Sequence, residues 1–223
     1  MRYMNFMPLI NEPYIFDPEL KKKLKSKVTD PNFNHENWGD EEFSDLRSLI
    51  RAHYRTKQGA LCAYCKARIS LVSASNAHIE HIVPKAIHLE YIFEPKNLCV
   101  ICADCNTIKR NQETINDIKN PLVNIISRYP RSSNAFKIIH PHFDDYDLHI
   151  AIKGKIYIDL TPKGNFTIGA CKLNRYFQKF GIDQDFIDDS VLIEIFQKFM
   201  DSDNTAEKAY LINELKTILI CNF

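Results

Sequence analysis

Apolar residues recur at helical spacing in the first third of the chain. They follow Asp40, a residue type that caps helices, and continue until Gly59. The repeating positions are Phe43, Leu46, Leu49, Ile50 and Tyr54. The pattern predicts one helix between Asp40 and Gly59. The preceding residues are rich in Pro, Asn and Asp, and they predict an arm with one short helix near Pro18–Val28.

The middle of the chain has shorter apolar runs, which are typical of strands. Ala67–Ser75 predicts a strand and a turn, and Ala77–Val83 predicts a strand that Pro84 ends. Asn97–Ile101 predicts a second strand, and Ala103–Lys119 predicts a helix directly after it.

Towards the C-terminus, apolar and polar residues alternate in three runs, which predicts a three-stranded antiparallel meander. The runs are Leu148–Ile152, Ile156–Leu160 and Phe166–Ile168. Two helices are expected to follow, at about Asp185–Met200 and after Asn204, where Glu207 completes a capping box. The stretch from Asp183 to Glu207 is strongly acidic. Its apolar residues cover more of the helix circumference than packing on one side requires, so we expect these helices to dock a partner protein. Burial against the meander is the alternative.

The composition fits a globular α+β protein. The 223 residues are 45% hydrophobic, which suffices for one substantial domain or two small ones. We divide the chain into an arm at 1–39, a domain at 40–120 and a C-terminal region at 121–223. No apolar run reaches the ~18 residues that span a bilayer, and polar residues interrupt Met1–Leu9, so neither a membrane segment nor a signal peptide is expected. Seven cysteines fit a reducing compartment, and we expect a cytoplasmic protein.

Positive charge is concentrated in the middle of the chain. The formal net charge is +1, yet residues 51–140 contain 13 Lys or Arg against 6 Asp or Glu. Such a surface attracts phosphate polyanions independently of their sequence, although a solvated face without a partner is the alternative. For Arg47, Arg51 and Arg55, on one face of the long helix, a solvated face is favoured over phosphate contacts.

Two Cys-x-x-Cys pairs have the spacing of zinc knuckles. Cys62 and Cys65 form the first pair, and Cys102 and Cys105 form the second; Cys99 and Cys102 have the same spacing. Four thiolates close the coordination sphere of a zinc ion, so such a site is structural. Catalytic chemistry must therefore involve other residues.

A carboxylate, an imidazole and a carboxamide lie between and just after the pairs. Glu80 is beside His81, and Asn106 follows the last cysteine. These side chains are typical of a hydrolase site. Strand alternation places His78 on the side of Glu80 and His81 opposite, so His78 is a candidate for a further metal ligand or a hydrogen-bonded partner of one.

Residues 58–118 resemble the HNH endonuclease motif in its zinc-knuckle form. The resemblance rests on Ile79–Pro84, Asn97-Leu98 and Cys102–Lys109. It implies a ββα-metal finger with one divalent cation, and it makes Cys102 and Cys105 the second zinc pair. A looser similarity to the HNH nucleases of Septu and retron-associated antiphage systems implies a defence role beside an ATPase subunit.

The resemblance also implies a role for each site residue in a metal-dependent endonuclease that hydrolyses DNA. His81 would be the general base, and Asn97 would fix the loop. Glu80 and Asn106 would hold a catalytic Mg²⁺ or Mn²⁺, while the four cysteines hold a structural Zn²⁺. Contacts with the DNA backbone are expected from Lys85, Lys109 and Arg110.

Other functions remain open at this point. A non-catalytic zinc-ribbon module would bind nucleic acid without cutting it, and an RNA-cleaving toxin would use the same residues on another substrate. A further polar cluster is a candidate metal or DNA site, although a loop that orders itself is favoured. This cluster consists of His140, His142, Asp144 and Asp145.

Overall fold

The computed structural model describes residues 8–116, 128–153, 156–180 and 190–221. In this part of the chain the helices are α1 Pro18–Val28, α2 Ser44–Lys57, α3 Ala103–Lys109, α4 Pro162–Cys171, α5 Arg175–Phe180, α6 Ser190–Asp201 and α7 Thr205–Cys221. The strands are β1 His78–His81, β2 Leu98–Ile101, β3 Ile150–Lys153 and β4 Ile156–Asp159. The α+β class predicted from the sequence is confirmed.

β1 and β2 form an antiparallel pair in which His81 lies opposite Leu98. All four residues of β2 are buried. α3 follows β2 after the single residue Cys102, so the elements run strand, strand, helix. The helix is shorter than predicted because Arg110 takes a positive φ of 50°, which ends it well before Lys119.

α2 packs against this sheet. Its buried face consists of Leu46, Ile50 and Tyr54. The helix begins at Ser44, later than the predicted cap, because Glu41–Phe43 form a separate 3₁₀ turn. The predicted end is correct: Gly59 follows the helix with a φ of 59°, a conformation that costs glycine little.

The arginines of α2 have a role that differs from both expectations. Their guanidinium groups donate to backbone carbonyls of neighbouring loops: Arg47 to Trp38 and Asp40, Arg51 to Ala77, and Arg55 to Leu71 and Ser73. They therefore fasten these loops to the helix.

The main hydrophobic core joins the arm to the rest of the fold. It extends from Ile10 to Leu173 and includes Trp38, the sheet and Ile150 of β3. The short helix predicted at Pro18–Val28 is confirmed as α1, and its Leu24 is buried in the same core.

The strand predicted over Ala67–Ser75 is wrong. Only Arg68 makes a bridge, with Leu61. The Ser70 hydroxyl accepts a hydrogen bond from the amide of Ser73 at 2.8 Å. Such local side-chain bonds compete with strand pairing, which explains the turn in this serine-rich stretch.

Two of the three predicted C-terminal strands are confirmed as β3 and β4, which pair antiparallel. The third is wrong, because Phe166–Ile168 lies inside α4. Thr161 caps that helix by accepting from the amide of Gly164, and Pro162 occupies its first turn. Both are typical helix-start signals.

α6 and α7 pack against the β3–β4 hairpin. A second core unites them through Ile156, Ile158, Ile195, Phe196, Leu211 and Leu215. Burial, the alternative to partner docking, thus accounts for these apolar residues. Asn204 caps α7 as predicted, while the predicted start of α6 at Asp185 lies outside the described residues.

In the described ranges, no helix has the length and apolar character needed to cross a membrane.

Candidate active site and metal centre

Four buried cysteine thiols meet at one point. The Sγ atoms of Cys62, Cys65, Cys102 and Cys105 all lie within 4.8 Å of one another, and those of Cys65 and Cys102 are 3.6 Å apart. Zinc with Zn–S bonds of about 2.3 Å separates its sulfurs by roughly 3.8 Å, so the cluster fits a tetrahedral ion. Cys99 is buried in β2 outside this cluster, which settles the pairing that its spacing left open.

Backbone hydrogen bonds shape the loop that carries the first cysteine pair. The Cys62 amide donates to the Ala67 carbonyl at 2.8 Å, and Lys66 turns the chain with a φ of 56°. Just before the loop, the buried Gln58 side chain accepts from the amide of Val100 at 2.7 Å and donates to its carbonyl at 2.8 Å. This amide clamp holds the loop against β2.

Glu80 of β1 and Lys109 of α3 form an ion pair in the interior. The ammonium group contacts Glu80 Oε1 without regular hydrogen-bond geometry, and it also donates to the His81 carbonyl at 3.4 Å. Burial raises the pKa of Glu80, which the positive charges of Lys109 and Lys85 oppose. Lys109, from which a DNA-backbone contact was expected, is buried at 2% exposure, and it supplies the countercharge that a buried carboxylate requires.

The His81 ring is held through one of its nitrogens. Nε2 lies 3.0 Å from the Ile92 carbonyl oxygen, which can only accept, so Nε2 carries the proton and Nδ1 the lone pair. Nδ1 makes no hydrogen bond with a described residue, so its lone pair is not engaged there, and the whole side chain is 6% exposed. Burial, followed by the charge of Lys85, lowers the pKa of His81 to about 3, so the ring is neutral at pH 7.

Asn97 fixes the loop between β1 and β2. This fully buried side chain accepts from the Val83 amide at 2.7 Å and donates to the carbonyls of Val83 and Tyr91 at 3.1 and 3.0 Å. The Tyr129 hydroxyl donates to Asn97 Oδ1 at 3.2 Å. Because Ile92 follows Tyr91, Asn97 also steadies the carbonyl that holds His81.

The network continues into the polar loop around residue 140. His140 Nδ1 accepts from the His142 amide at 3.2 Å, so the proton is on Nε2, which donates to the Tyr129 oxygen at 2.8 Å. Asp144 accepts from the His140 amide at 2.6 Å and pairs with a lysine of α4. Asp145 caps the next 3₁₀ turn. These contacts confirm the favoured expectation of a loop that orders itself.

The remaining candidate residues have different surroundings. Asn106, in α3, is half-buried and makes no side-chain hydrogen bond with a described residue. His78 Nε2 lies 2.9 Å from the Ser75 carbonyl, and Lys85 donates to a carbonyl of the arm at 2.9 Å. Arg110 is exposed just beyond α3.

The thiol cluster, β1, β2 and α3 lie in one continuous part of the sequence. Residues 62–112 match the family model for HNH endonuclease. We call this range the HNH segment; it contains Glu80, His81, Asn97 and Asn106. No curated protein and no solved structure matches the chain. The resemblance of the segment to the HNH family is thus supported, together with nuclease activity as its general function.

Residues outside the HNH segment also shape its site, and the sequence did not assign them this role. They are Trp38, which contacts the His81 ring, Gln58, and Tyr129. Trp38 is the only tryptophan in the chain, but nothing in its spacing connects it with His81. For Tyr129 the sequence contains no signal.

The HNH resemblance implies a hard divalent cation near Glu80, and the available donors fit one. Glu80 Oε2 makes no hydrogen bond with a described residue, so its lone pairs are not engaged there. The Asn106 carboxamide is similarly unengaged within the described residues. Mg²⁺ commonly takes one or two protein oxygens and keeps several waters, which matches this small donor set.

Proposed function

We propose that this protein is a metal-dependent endonuclease that hydrolyses DNA phosphodiester bonds. The observation that carries the proposal is the state of His81: its Nε2–H donates to the Ile92 carbonyl, its Nδ1 makes no hydrogen bond with a described residue, and burial lowers its pKa so that the ring is neutral. An imidazole with one nitrogen anchored and the other free is arranged to accept a proton.

In the proposed reaction, His81 Nδ1 removes a proton from a water molecule as that water attacks the phosphorus atom. The bond to the 3′ oxygen breaks, and this oxygen leaves with the bonding electrons and takes up a proton from solvent. A phosphate beside the ring raises the pKa of His81 above its value in the free protein, which strengthens the base when substrate is bound.

Glu80 Oε2 and the Asn106 carboxamide would hold the catalytic Mg²⁺ or Mn²⁺. Such a cation supplies stabilisation of the charge that develops on the phosphate and the leaving oxygen. Burial raises the pKa of Glu80, and the ammonium group of Lys109 opposes this rise, which favours the ionised carboxylate that a cation needs.

Of the three basic residues expected to contact the DNA backbone, two are not used by the buried ion pair. Arg110 is exposed at the end of α3, and Lys85 is half-buried in the loop after β1. Phosphate contacts position a duplex without reading its sequence, so weak sequence preference is expected.

The wider resemblance to Septu and retron-associated nucleases adds an antiphage role in the cytoplasm beside an ATPase partner. The apolar residues of the α6–α7 core already pack against the hairpin, so we expect that partner to bind another surface. Co-purification of the full chain with an ATPase encoded next to it tests this part.

A substrate panel tests the proposed function. Purified full-length protein is incubated with supercoiled plasmid, single-stranded DNA or RNA, in Mg²⁺, Mn²⁺ or EDTA. Cation-dependent nicking or linearisation of the plasmid supports the proposal. Cleavage of RNA alone would favour the toxin function, and binding without cleavage in any cation would favour the zinc-ribbon function.

A further inference from the structure

The arm contributes an aromatic ring to the surroundings of His81. The Trp38 and His81 ring centroids are 4.7 Å apart with an interplanar angle of 83°, an edge-to-face contact. Both side chains are almost fully buried, at 8% and 6% exposure. The Phe93 ring also packs against the indole, with the ring centroids 5.8 Å apart.

The segment that carries Trp38 is tied down on several sides. It forms a 3₁₀ turn over His35–Gly39 with a capping box between Asn34 and Asn37. Arg47 of α2 donates to the Trp38 carbonyl at 2.5 Å. The Lys85 ammonium group, in the loop after β1, donates to the His35 carbonyl at 2.9 Å. These contacts therefore hold the indole in place beside His81.

One hydrogen bond does not define the orientation of an imidazole. The χ2 angle of histidine is broad and roughly two-fold, so a ring flip is accessible unless packing prevents it. A flip would exchange Nδ1 with Cδ2 and break the bond from Nε2 to the Ile92 carbonyl. The buried indole packed against the imidazole opposes this flip, and such a perpendicular pair prefers the observed geometry.

We propose that Trp38 is a positioning residue for His81: together with the Ile92 carbonyl, it keeps Nδ1 facing the water that the base activates. This inference rests on the proposed function, because it assigns a second support to the same general base. It also makes the arm, outside the HNH segment, a part of the active site.

Two substitutions of similar size separate positioning from filling space. Trp38→Leu and Trp38→Phe both leave a smaller side chain in the core, but only Trp38→Phe keeps an aromatic edge. In the zinc-loaded full chain with Mn²⁺ and plasmid, Trp38→Leu should lower kcat about tenfold or more, because small displacements of reacting groups are costly. KM should stay within about twofold, since Trp38 is not expected to bind DNA. Trp38→Phe should retain most of the wild-type kcat.

Nitrogen NMR of labelled histidines provides a readout that is independent of activity. Wild-type His81, assigned by comparison with His81→Gln, should show a single tautomer with the proton on Nε2. Trp38→Phe should keep this pattern, and Trp38→Leu should show averaged ring nitrogens. A single tautomer in Trp38→Leu overturns the inference, whether or not kcat falls. If the wild type cuts no nucleic acid, the proposed function fails, while the tautomer comparison still decides the role of Trp38.

Discussion

Single polar residues in the interior set the chemistry of the candidate site. Glu80, Lys109, His81 and Asn97 have all left water, and each transfer costs free energy unless a partner compensates it. Lys109 neutralises Glu80, the Ile92 carbonyl holds His81, and Asn97 uses both ends of its carboxamide. These partners thus hold the polar groups of the site before any ligand binds.

The buried ion pair leads to a prediction about stability. Lys109→Met should lower the free energy of unfolding by about 3 kcal/mol, because it leaves the Glu80 carboxylate buried without a countercharge. Urea denaturation measures the change. The matched double variant Glu80→Gln/Lys109→Met should recover part of the loss. Wild-type stability in Lys109→Met alone would show that the pair contributes nothing.

A second residue-scale prediction concerns acid. Burial lowers the pKa of His142 to about 4; its Nε2–H donates to the Leu98 carbonyl, and its Nδ1 makes no hydrogen bond with a described residue. As the pH falls below ~6.5, His142 takes up a proton in the unfolded chain but stays neutral in the folded chain. The free energy of unfolding therefore decreases as the pH falls from ~6.5 to about 4, and this group does not affect it above that range.

Urea denaturation at pH 7.5 and pH 5.5 checks this sign. Between these two pH values, the free energy of unfolding of His142→Gln should decrease by about 1.4 kcal/mol less than that of the wild type, since one titrating group is removed. His140 is present in both proteins, so its contribution largely cancels. An equal loss in the two proteins would contradict the depressed pKa of His142.

The sequence predicted where the HNH segment lies, but not the environments of all its residues. Glu80 and His81 were found by their place between the cysteine pairs. The burial of Lys109 was missed because lysines are usually solvated, and only the fold shows that a carboxylate lies opposite it. The contact between Trp38 and His81 joins two distant parts of the chain, so no local pattern predicts it.

Among the elements, α4 links the C-terminal hairpin to the polar loop. Its cap Thr161 lies 2.7 Å from His149 Nδ1, and Thr167 accepts from the Ile139 amide at 2.9 Å. The alternating pattern over Phe166–Ile168 predicted a strand, but Thr161 and Pro162 start a helix that includes these residues. Elements with a clear single period, such as α2, were predicted well, and segments with competing signals were not.

Two glycines of α4 test this packing. A Cβ atom on Gly164 would overlap the His149 carbonyl oxygen, whereas one on Gly169 would meet no atom within 4 Å. Gly164→Ala should therefore destabilise the protein by about 1–3 kcal/mol through overpacking. Gly169→Ala should stabilise it by about 0.5–1 kcal/mol, as expected for a helix. Thermal denaturation of both variants gives the comparison, and equal effects would contradict the close approach.

Over the whole molecule, the thiol cluster joins loops that are far apart in sequence. Cys62 and Cys65 follow α2, whereas Cys102 and Cys105 lie at the start of α3. The sequence predicted this junction because the knuckle spacing is local and specific. It did not predict that the arm and the hairpin share one core, which depends on packing between remote segments.

Removal of a zinc ligand should affect metal content and stability together. Cys62→Ser should lose zinc and unfold more easily, because structural zinc binding contributes about 10 kcal/mol or more to folding in small zinc fingers. Elemental analysis and thermal denaturation measure both effects. Cys99 is a buried cysteine outside the cluster, so the Cys99→Ala variant should keep its zinc. Folded wild-type protein without zinc would contradict the assignment.

The most direct test of the account is the rate at which the His81→Gln variant cleaves supercoiled plasmid in Mn²⁺. Loss of the general base should slow cleavage by about 10²-fold or more, with zinc content and DNA binding unchanged. His78→Gln, on the same strand, should cut at nearly the wild-type rate. Cleavage by His81→Gln at the wild-type rate would contradict the central claim that His81 activates the attacking water.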